Sequence, residues 1–379
     1  MIKEQIDIRM VDLKGQYEQI KPEIDAIIQE VIDNSAFIKG KYVNRFCDNL
    51  SKYLDVDHVI PCGNGTDALQ LALMAMEYEP GSEIITTPFT FVATVEVICL
   101  LGLKPVFVDV EPDSFNLDPT LLEAAITDKT KCIIPVHLFG QAADMEPIMT
   151  IAQKHNLHVI EDTAQSISGY YTFKDGTQRN LGTIGDIGTF SFFPSKNLGC
   201  YGDGGAISTS NADLAYKMNL YANHGSLKKY HYDSVGINSR LDGIQAGILD
   251  VKLGHLNTYV ENRVTAADRY DLLLKDIPEI GLPKRYDNRN HVFHQYTIKV
   301  SHRDKLQSYL KSKGIPTGVY YPSPLHKQGV YDKYVSEGQP FPVTEKLCAE
   351  VLSLPMHTEL NMEQQTFIAQ AIKEGLASV

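Results

Sequence analysis

Two segments of this chain combine residue types that can carry out chemistry on an amine. The first, Glu161–Gln165, follows the apolar run His158–Ile160 and begins with two acids. The second, Ser191–Lys196, follows another apolar run and ends in a lysine. An acid can hold a protonated pyridine nitrogen, and a lysine can form a Schiff base with an aldehyde. Together the two segments indicate a site for pyridoxal 5′-phosphate (PLP).

Asp162 and Lys196 are the strongest candidates in these segments. A carboxylate beside the ring nitrogen keeps that nitrogen protonated, so that the cofactor can take up electrons from a substrate carbanion. Lys196 lies between the apolar residues Phe192–Pro194 and Leu198, and apolar surroundings lower the pKa of a lysine and make it a better nucleophile. Taken in isolation, Asp162 could equally cap a strand-to-helix turn. An exposed loop lysine is the poorer interpretation of Lys196.

Two further segments follow candidate strands. In Pro61–Asp67, glycines allow close approach of the backbone, and free amides at the start of the next helix favour phosphate. Thr66 adds a hydroxyl, although an N-cap beside a glycine turn is a common structural alternative. In Thr87–Thr94 an aromatic ring could stack on a pyridine. Aromatic residues at strand ends are, however, usually part of the core.

The elements that must position these residues alternate between strands and helices through residues 15 to 235. Continuous runs of Val, Ile and Phe are typical of strands buried on both faces of a parallel sheet. The candidate strands are His58–Ile60, Glu83–Thr86, Pro105–Val110, Lys131–Leu138, His158–Asp162, Ile187–Phe192 and Gly205–Thr209. The pattern predicts a doubly wound α/β domain with a large, mostly parallel, seven-stranded sheet. Ligands bind such a sheet at the carboxyl ends of its strands.

The remainder of the chain predicts a smaller C-terminal α/β domain. Apolar residues at helical spacing from Leu241 to His255 predict a long helix that leads out of the first domain. Beyond this helix we expect a strand, a helix and a second strand, at Gln295–Ile298, Asp304–Ser312 and Gly318–Tyr321. The sequence therefore predicts a large PLP-binding domain over residues 1–255 and a small domain over residues 256–379.

Composition argues against several other classes of protein. The chain has 35 basic and 47 acidic residues and a net charge of −12, which disfavours nucleic acid or an anionic membrane as the main partner. The first residues lack the apolar core of a signal peptide, and stretches such as Val95–Leu101 are too short to span a bilayer. The six cysteines and the histidines show no disulfide-like or ligand-like spacing. We therefore predict a cytoplasmic protein with reduced thiols and no metal.

The same segments make the chain resemble a known family. It is similar to the sugar-nucleotide aminotransferases of the DegT/DnrJ/EryC1/StrS type, within the fold-type-I PLP superfamily, from about Leu13 to the C-terminus. The resemblance is carried by Gly63–Leu69, Thr87–Thr94, Glu161–Gln165, Ser191–Gly199, Gly202–Ala206, His224–Gly225 and Gly236–Asp242. Their order and their spread over most of the chain make the resemblance specific.

The resemblance implies a role for each candidate residue. Lys196 would be the catalytic residue, which forms the Schiff base and then carries the proton between substrate and cofactor. The other cofactor contacts would be Gly65, Thr66 and Ser191 on the phosphate, Phe91 on the ring face, Asp162 on the ring nitrogen and Gln165 on the ring hydroxyl. Asn238 would reach the phosphate from the neighbouring subunit, which implies a homodimer with shared active sites.

The resemblance also implies transfer of the amino group of L-glutamate to a nucleotide-linked keto-sugar. Relatives with a histidine in place of Lys196 are dehydratases, so the lysine favours transamination. Many members carry an aromatic residue where this chain has Ser239. Asn238–Arg240, together with Ser191–Gly205 and Val319–Pro322, most resembles the branch that aminates C3 of UDP-2-acetamido-2-deoxy-3-oxo-D-glucuronate, a UDP-linked keto-sugar of surface polysaccharide biosynthesis. We expect Arg240 to clamp the uronate carboxylate and Tyr321 to contact the substrate.

Three alternatives stay open. The glucuronate branch tends to have a histidine where this chain has Tyr320, so the nearest rival is the same chemistry on a 4-keto-6-deoxy sugar linked to UDP, GDP or dTDP. Arginine at position 240 is widespread in the family, and a structural salt bridge is another interpretation of Arg240. A rival from another class is a non-catalytic regulator that binds PLP or a sugar nucleotide. Such a regulator would be expected to lack Lys196 or to carry a basic DNA-binding module, and this sequence does neither.

Overall fold

The computed structural model describes residues 6–334 and 340–378. Its α-helices are α1 (Leu13–Asp33), α2 (Lys41–Leu54), α3 (Gly65–Met76), α4 (Ala93–Leu100), α5 (Pro119–Leu122), α6 (Met145–Lys154), α7 (Ala212–Ala222), α8 (Gly243–Leu274), α9 (Arg303–Ser312), α10 (Pro342–Glu350) and α11 (Met362–Ala377). Its strands are β1 (His58–Cys62), β2 (Glu83–Thr86), β3 (Lys104–Phe107), β4 (Thr130–Ile133), β5 (His158–Asp162), β6 (Tyr170–Thr172), β7 (Gln178–Asn180), β8 (Ile187–Ser191), β9 (Gly205–Thr209), β10 (Ile280–Gly281), β11 (Tyr296–Val300) and β12 (Val351–Leu354). Residues 1–5, for which no signal peptide is predicted, lie outside this description.

Seven strands form one large sheet in the order β1-β9-β8-β5-β4-β2-β3. The pairs from β8 through β5, β4 and β2 to β3 are parallel, whereas β9 runs antiparallel to both of its neighbours. Every residue of β2 and β9 is buried, as expected for strands covered on both faces. The predicted doubly wound α/β fold with a mostly parallel seven-stranded sheet is confirmed.

Helices cover both faces of this sheet because neighbouring strand residues point to opposite sides. Ile84 packs in a cluster with α3, α4 and α7, whereas the next residue, Ile85, packs in a cluster with α6. The helices α2 and α8 cover the β8–β9 end of the second face, against Phe190 and Phe192. The sheet therefore lies between two helical layers.

A three-stranded antiparallel sheet, β10-β11-β12, forms the smaller unit with α9 and α11. The strand predicted over 318–321 does not form; only an isolated bridge joins Gly318 to Ser353. Tyr321 turns away from the sheet and packs against the ring of Phe89, 6.1 Å away between centroids. Aromatic packing against the large unit thus overrides the local preference for a strand.

Helix α8 runs from Gly243 to Leu274 without interruption and belongs to both units. Leu249 and Leu253 pack in the core of the large unit, whereas Tyr270 and Leu274 pack in the core of the small unit. The division of the chain at residue 255 falls within this helix and stays a prediction. In the described ranges, no helix combines the length and the apolar character needed to cross a bilayer.

Candidate active site

Asp162 is the last residue of β5 and lies at the carboxyl edge of the large sheet. Its side chain is 6% exposed, and its Oδ2 accepts a hydrogen bond from Thr94 Oγ1 at 2.8 Å. Its Oδ1 accepts one from the Ala164 N–H at 3.2 Å. Burial raises the pKa of Asp162 above its ordinary value, while the Thr94 hydrogen bond and the charge of Lys196 act in the opposite direction. A cation placed beside this carboxylate would keep it ionised.

Lys196 lies in the loop that follows β8, the parallel neighbour of β5, and therefore at the same carboxyl edge of the sheet. Its backbone N–H donates to the Phe193 carbonyl at 2.8 Å, which turns the chain just before the lysine. Burial lowers the pKa of Lys196 to about 8, and the nearby charge of Asp162 opposes that shift. Within residues 6–334 and 340–378 its Nζ makes no hydrogen bond or ion pair. With this pKa, about a tenth of the amine is uncharged and nucleophilic at pH 7, far more than for an ordinary lysine.

The first residues of α3 and the end of β8 form a cradle of backbone amides and hydroxyls. Asn64 caps the helix, since its Oδ1 accepts from the Asp67 N–H at 2.8 Å. Gly65 and Thr66 are the first two residues of α3, so their amides have no acceptor within the helix. A Cβ at position 65 would lie 2.7 Å from the Cβ of Ser191, so only glycine fits there. The N-terminus of α3 thus meets the hydroxyl of Ser191, an arrangement suited to phosphate.

Gln165, Phe91 and Tyr321 lie together beside Asp162. Gln165 Oε1 accepts from the Phe139 N–H at 2.7 Å, and its Nε2 donates to the Tyr321 hydroxyl at 3.3 Å. The ring centroids of Phe91 and Tyr321 are 6.4 Å apart, and Phe91 is 55% exposed. Burial raises the pKa of Tyr321, so that its hydroxyl stays protonated. The group offers an aromatic surface and polar atoms at the mouth of the site.

Asn238 and Arg240 are placed differently from the other predicted site residues. Asn238 is exposed, and its backbone forms an isolated bridge with Asn223. Arg240 lines a surface groove of about 660 Å³ together with Tyr216 and Asn219. Neither side chain hydrogen-bonds to another part of the described chain. Within one subunit, the structure brings together the residues around Lys196 but leaves these two facing outward.

Sequence reasoning missed the role of Glu161, the neighbour of Asp162. Its fully buried carboxylate accepts hydrogen bonds of 2.7 to 2.9 Å from three backbone amides in residues 182–185. His137 Nε2 donates a fourth at 2.9 Å, and its Nδ1 accepts from the Ala143 N–H at 3.0 Å. The backbone N–H of His137 also donates to the carbonyl of Asp162 at 3.0 Å. The only signal in the sequence was a second acid beside Asp162. Since side chains alternate along a strand, this acid points to the opposite face of the sheet.

Lys252 was also missed. It is a buried lysine of α8 whose Nζ donates to the carbonyl of Gly199 at 2.6 Å. The same Nζ lies 4.9 Å from the ring centroid of Tyr201, and burial lowers the pKa of Lys252 to about 8. Lys252 thus supports the glycine-rich loop that follows Lys196. A single lysine on the apolar side of the long predicted helix was the available signal.

The residues present fit PLP. An amide and hydroxyl cradle that has no room for a Cβ, a buried carboxylate and an unpaired lysine amine match the phosphate, the ring nitrogen and the aldehyde of that cofactor. The partly exposed ring of Phe91 adds a stacking surface. No group of three or more His, Cys, Asp or Glu side chains that could hold a metal occurs in the portion of the chain that the structure describes.

The family model of the DegT/DnrJ/EryC1/StrS aminotransferases matches residues 18–373, and the chain belongs to this family. It is 49% identical to a pleiotropic regulatory protein of Geobacillus stearothermophilus, over 97% of this chain and 98% of that protein. It is 46% identical to the UDP-2-acetamido-2-deoxy-3-oxo-D-glucuronate aminotransferase of Pseudomonas aeruginosa, over 96% and 99%. It is 44% identical to the UDP-N-acetyl-3-dehydro-alpha-D-glucosamine 3-aminotransferase of Acidithiobacillus ferrooxidans, over 97% and 98%.

A solved structure agrees with this assignment. NtdA from Bacillus subtilis, with bound cofactor PMP, superposes with a TM-score of 0.86 at 34% identity, over 95% of this chain and 82% of that one. The predicted family, the enzyme class and the cofactor are confirmed. The protein is a PLP-dependent aminotransferase of the class that acts on nucleotide-linked sugars.

Proposed function

We propose that this enzyme transfers the amino group of L-glutamate to C3 of UDP-2-acetamido-2-deoxy-3-oxo-D-glucuronate, in the biosynthesis of a surface polysaccharide precursor. The observation that carries the proposal is the segment Asn238–Arg240, which presents an arginine without an ion pair in the described ranges. Two relatives at 46% and 44% identity are named for aminating a UDP-linked 3-keto sugar. A carboxylate on the sugar would give the guanidinium of Arg240 a bidentate partner.

Lys196 performs the proton transfers in this proposal. PLP, when bound, supplies an electron sink that stabilises the carbanion formed at the substrate carbon. The Lys196 amine, with a pKa near 8, takes the proton from Cα of glutamate and later returns a proton to C3 of the sugar. Asp162 lies close enough to Lys196 for their charges to interact, and its carboxylate would hold a proton on the ring nitrogen. The Thr94 hydroxyl fixes the orientation of that carboxylate.

The remaining cofactor residues bind and orient. The amides of Gly65 and Thr66 and the hydroxyl of Ser191 would hold the phosphate, and Phe91 would stack on the ring. Gln165 is fixed by the Phe139 N–H, and its Nε2 donates to the Tyr321 hydroxyl. From this position Gln165 would bind the ring hydroxyl, and Tyr321 would contact the substrate.

A homodimer with shared active sites is part of the proposal. Three side chains just before Asn238 are largely exposed although they are apolar or aromatic: Tyr230, Tyr232 and Val235. A second copy of the chain would cover them. Asn238 would then reach the phosphate of its partner, and Arg240 the substrate. All six cysteines are free thiols, which supports a reducing, cytoplasmic location.

A second substrate is favoured by a specific observation. The relative from Acidithiobacillus ferrooxidans is named for a 3-dehydro-glucosamine, which lacks the uronate carboxylate. The 4-keto-6-deoxy alternative has less support, because both relatives at 44–46% identity are named for C3. The alternative of a non-catalytic regulator is supported by the name of the relative from Geobacillus stearothermophilus, a pleiotropic regulatory protein. The retained Lys196 with its lowered pKa favours catalysis over that role.

The test is an absorbance titration of the PLP-loaded enzyme with amino-sugar nucleotides. This titration runs the amination of the sugar in reverse, so that the amino group passes from the sugar to the cofactor. We expect the UDP-linked 3-amino-glucuronate derivative to convert bound PLP to pyridoxamine phosphate. The 3-amino-glucosamine and 4-amino-6-deoxy derivatives should react at least about tenfold more slowly. An equal response to the glucosamine derivative would remove the role of Arg240, and a response to the 4-amino sugar alone would overturn the substrate. Bound PLP that exchanges no amine with glutamate would support the regulator.

A further inference from the structure

Ser239 joins two segments that lie far apart in the sequence. Its side chain is 2% exposed, although it stands between the outward-facing Asn238 and Arg240. Its Oγ accepts a hydrogen bond from the Gly63 N–H at 2.8 Å and donates one to Asp67 Oδ2 at 2.6 Å. One hydroxyl therefore uses both its donor and an acceptor position on the turn that leads into α3.

The two hydrogen bonds of Ser239 fix the residues on either side of the phosphate cradle. Gly63 precedes the N-cap Asn64, and Asp67 lies in the first turn of α3, so Gly65 and Thr66 lie between the two partners of Ser239. The Asp67 N–H is fixed by Asn64 while its carboxylate is fixed by Ser239. A Cβ at Gly63 would lie 2.9 Å from Asp67 Oδ2, so the absence of a side chain at Gly63 allows this close approach.

The backbone around Ser239 is held in an extended conformation along the end of α7. The Ile237 N–H donates to the Tyr221 carbonyl at 2.8 Å, and the Ser239 N–H donates to the Ala222 carbonyl at 3.0 Å. Successive side chains of an extended segment point to opposite sides. Ser239 therefore faces its own subunit, whereas Asn238 and Arg240 on either side of it face away.

We propose that Ser239 is a positioning residue that sets the phosphate-binding turn of its own subunit and, through the same contact, the direction of Asn238 and Arg240. The second part rests on the proposed shared site; the first part concerns one subunit alone. Loss of the hydroxyl would leave the Gly63 N–H and the Asp67 carboxylate without their partner and loosen the amides of Gly65 and Thr66. The affinity lost would be affinity for the phosphate group.

The experiment compares PLP with pyridoxal, which lacks the phosphate, as ligands of the apoenzyme. We expect Ser239→Ala to raise the Kd for PLP about tenfold and to leave the Kd for pyridoxal within about twofold. Asp67→Ala should reproduce this effect, and the double variant should lose no more than either single one, because the two substitutions remove the same contact. Ser308→Ala, an exposed serine on α9, serves as the matched control.

An unchanged Kd for PLP in Ser239→Ala, or equal losses for PLP and pyridoxal, would overturn the proposal, since a general loss of structure affects both ligands alike. If Ser239→Ala does not fold, Asp67→Ala with the same two ligands decides the question. Neither measurement uses glutamate or a sugar nucleotide. A wrong substrate assignment therefore leaves this result untouched, and amine exchange from glutamate tests the proposed function separately.

Discussion

Glu161 and Asp162 are adjacent acids with opposite surroundings, and the difference comes from the alternation of side chains along a strand. Glu161 points into the protein and is saturated by three backbone amides and His137. Asp162 points to the sheet edge and keeps room for a cationic partner. The same chemical group thus serves as an anchor at one position and as a site residue at the next.

Lys196 gives a prediction on pH at the scale of the residue. The ordinary lysine pKa is 10.5 and the folded value is about 8, so between these pH values the unfolded chain binds more protons than the folded apoenzyme. Burial of the charged amine therefore costs stability below pH 8, and the cost disappears as the pH rises toward 10.5. Apoenzyme with Lys196→Met should be more stable than the wild type at pH 7, by about 1–3 kcal/mol, and should lose this advantage by about pH 10.

The measurement is urea unfolding of the two apoenzymes at a series of pH values. Lys174→Met, at a side chain that is 88% exposed, is the control and should show no comparable pH-dependent gain. A Lys196→Met apoenzyme that is less stable than the wild type at pH 7 would mean that the amine is not desolvated.

At the scale of elements, the end of β5 is held by side-chain contacts to the segments that flank its two neighbouring strands, β4 and β8. Glu161 ties β5 to residues 182–185, and His137 ties it to the loop after β4. The position of Asp162 at the sheet edge depends on both ties. Lys252 of α8 supports the loop after β8 in the same way, through its hydrogen bond to the Gly199 carbonyl.

The anchor gives a second prediction. Glu161→Gln places an amide group against backbone donors and leaves at least one of them without an acceptor. We expect a loss of about 3 kcal/mol in the free energy of unfolding, measured by urea denaturation. Glu123→Gln, in a surface pair with His155, should change stability far less, because solvent screens exposed ion pairs. Equal effects of the two substitutions would contradict the anchoring role.

At the scale of the whole molecule, the proposed homodimer would divide its site residues between two subunits, because Asn238 and Arg240 face outward from their own chain. This gives a third prediction. Lys196→Ala and Asn238→Asp subunits, each weakly active or inactive alone, should regain about a quarter of the wild-type activity when mixed after reversible dissociation. Half of the mixed dimers are then hybrids, and each hybrid has one intact site.

The readout is the rate of glutamate-dependent amine transfer, and the control is a mixture of Lys196→Ala with Asp162→Asn. Asp162 and Lys196 serve the same site from one subunit, so each site of a hybrid dimer carries one of the two substitutions and neither site is intact. Absence of recovery in the first mixture, with hybrids detected by mass, would show that the site is complete within one chain.

Much of the fold followed from local patterns. Continuous apolar runs such as Ile187–Phe192 located the strands of the large sheet, and strand ends located the chemistry at one edge. The strand expected over 318–321 failed because the contact of Tyr321 with Phe89 is not local. The continuity of α8 through both units is likewise a matter of packing at its two ends.

The sequence by itself determined the chemical groups of the site, because an acid, a lysine and a glycine turn at strand ends converge wherever strands run parallel. Only the tertiary structure decided that Glu161 is the anchoring acid, that Lys252 supports the loop of Lys196, and that Ser239 holds the turn before α3. Each of these contacts joins residues distant in the chain. Local spacing states which way a side chain points, but its partner is known only once the elements have packed.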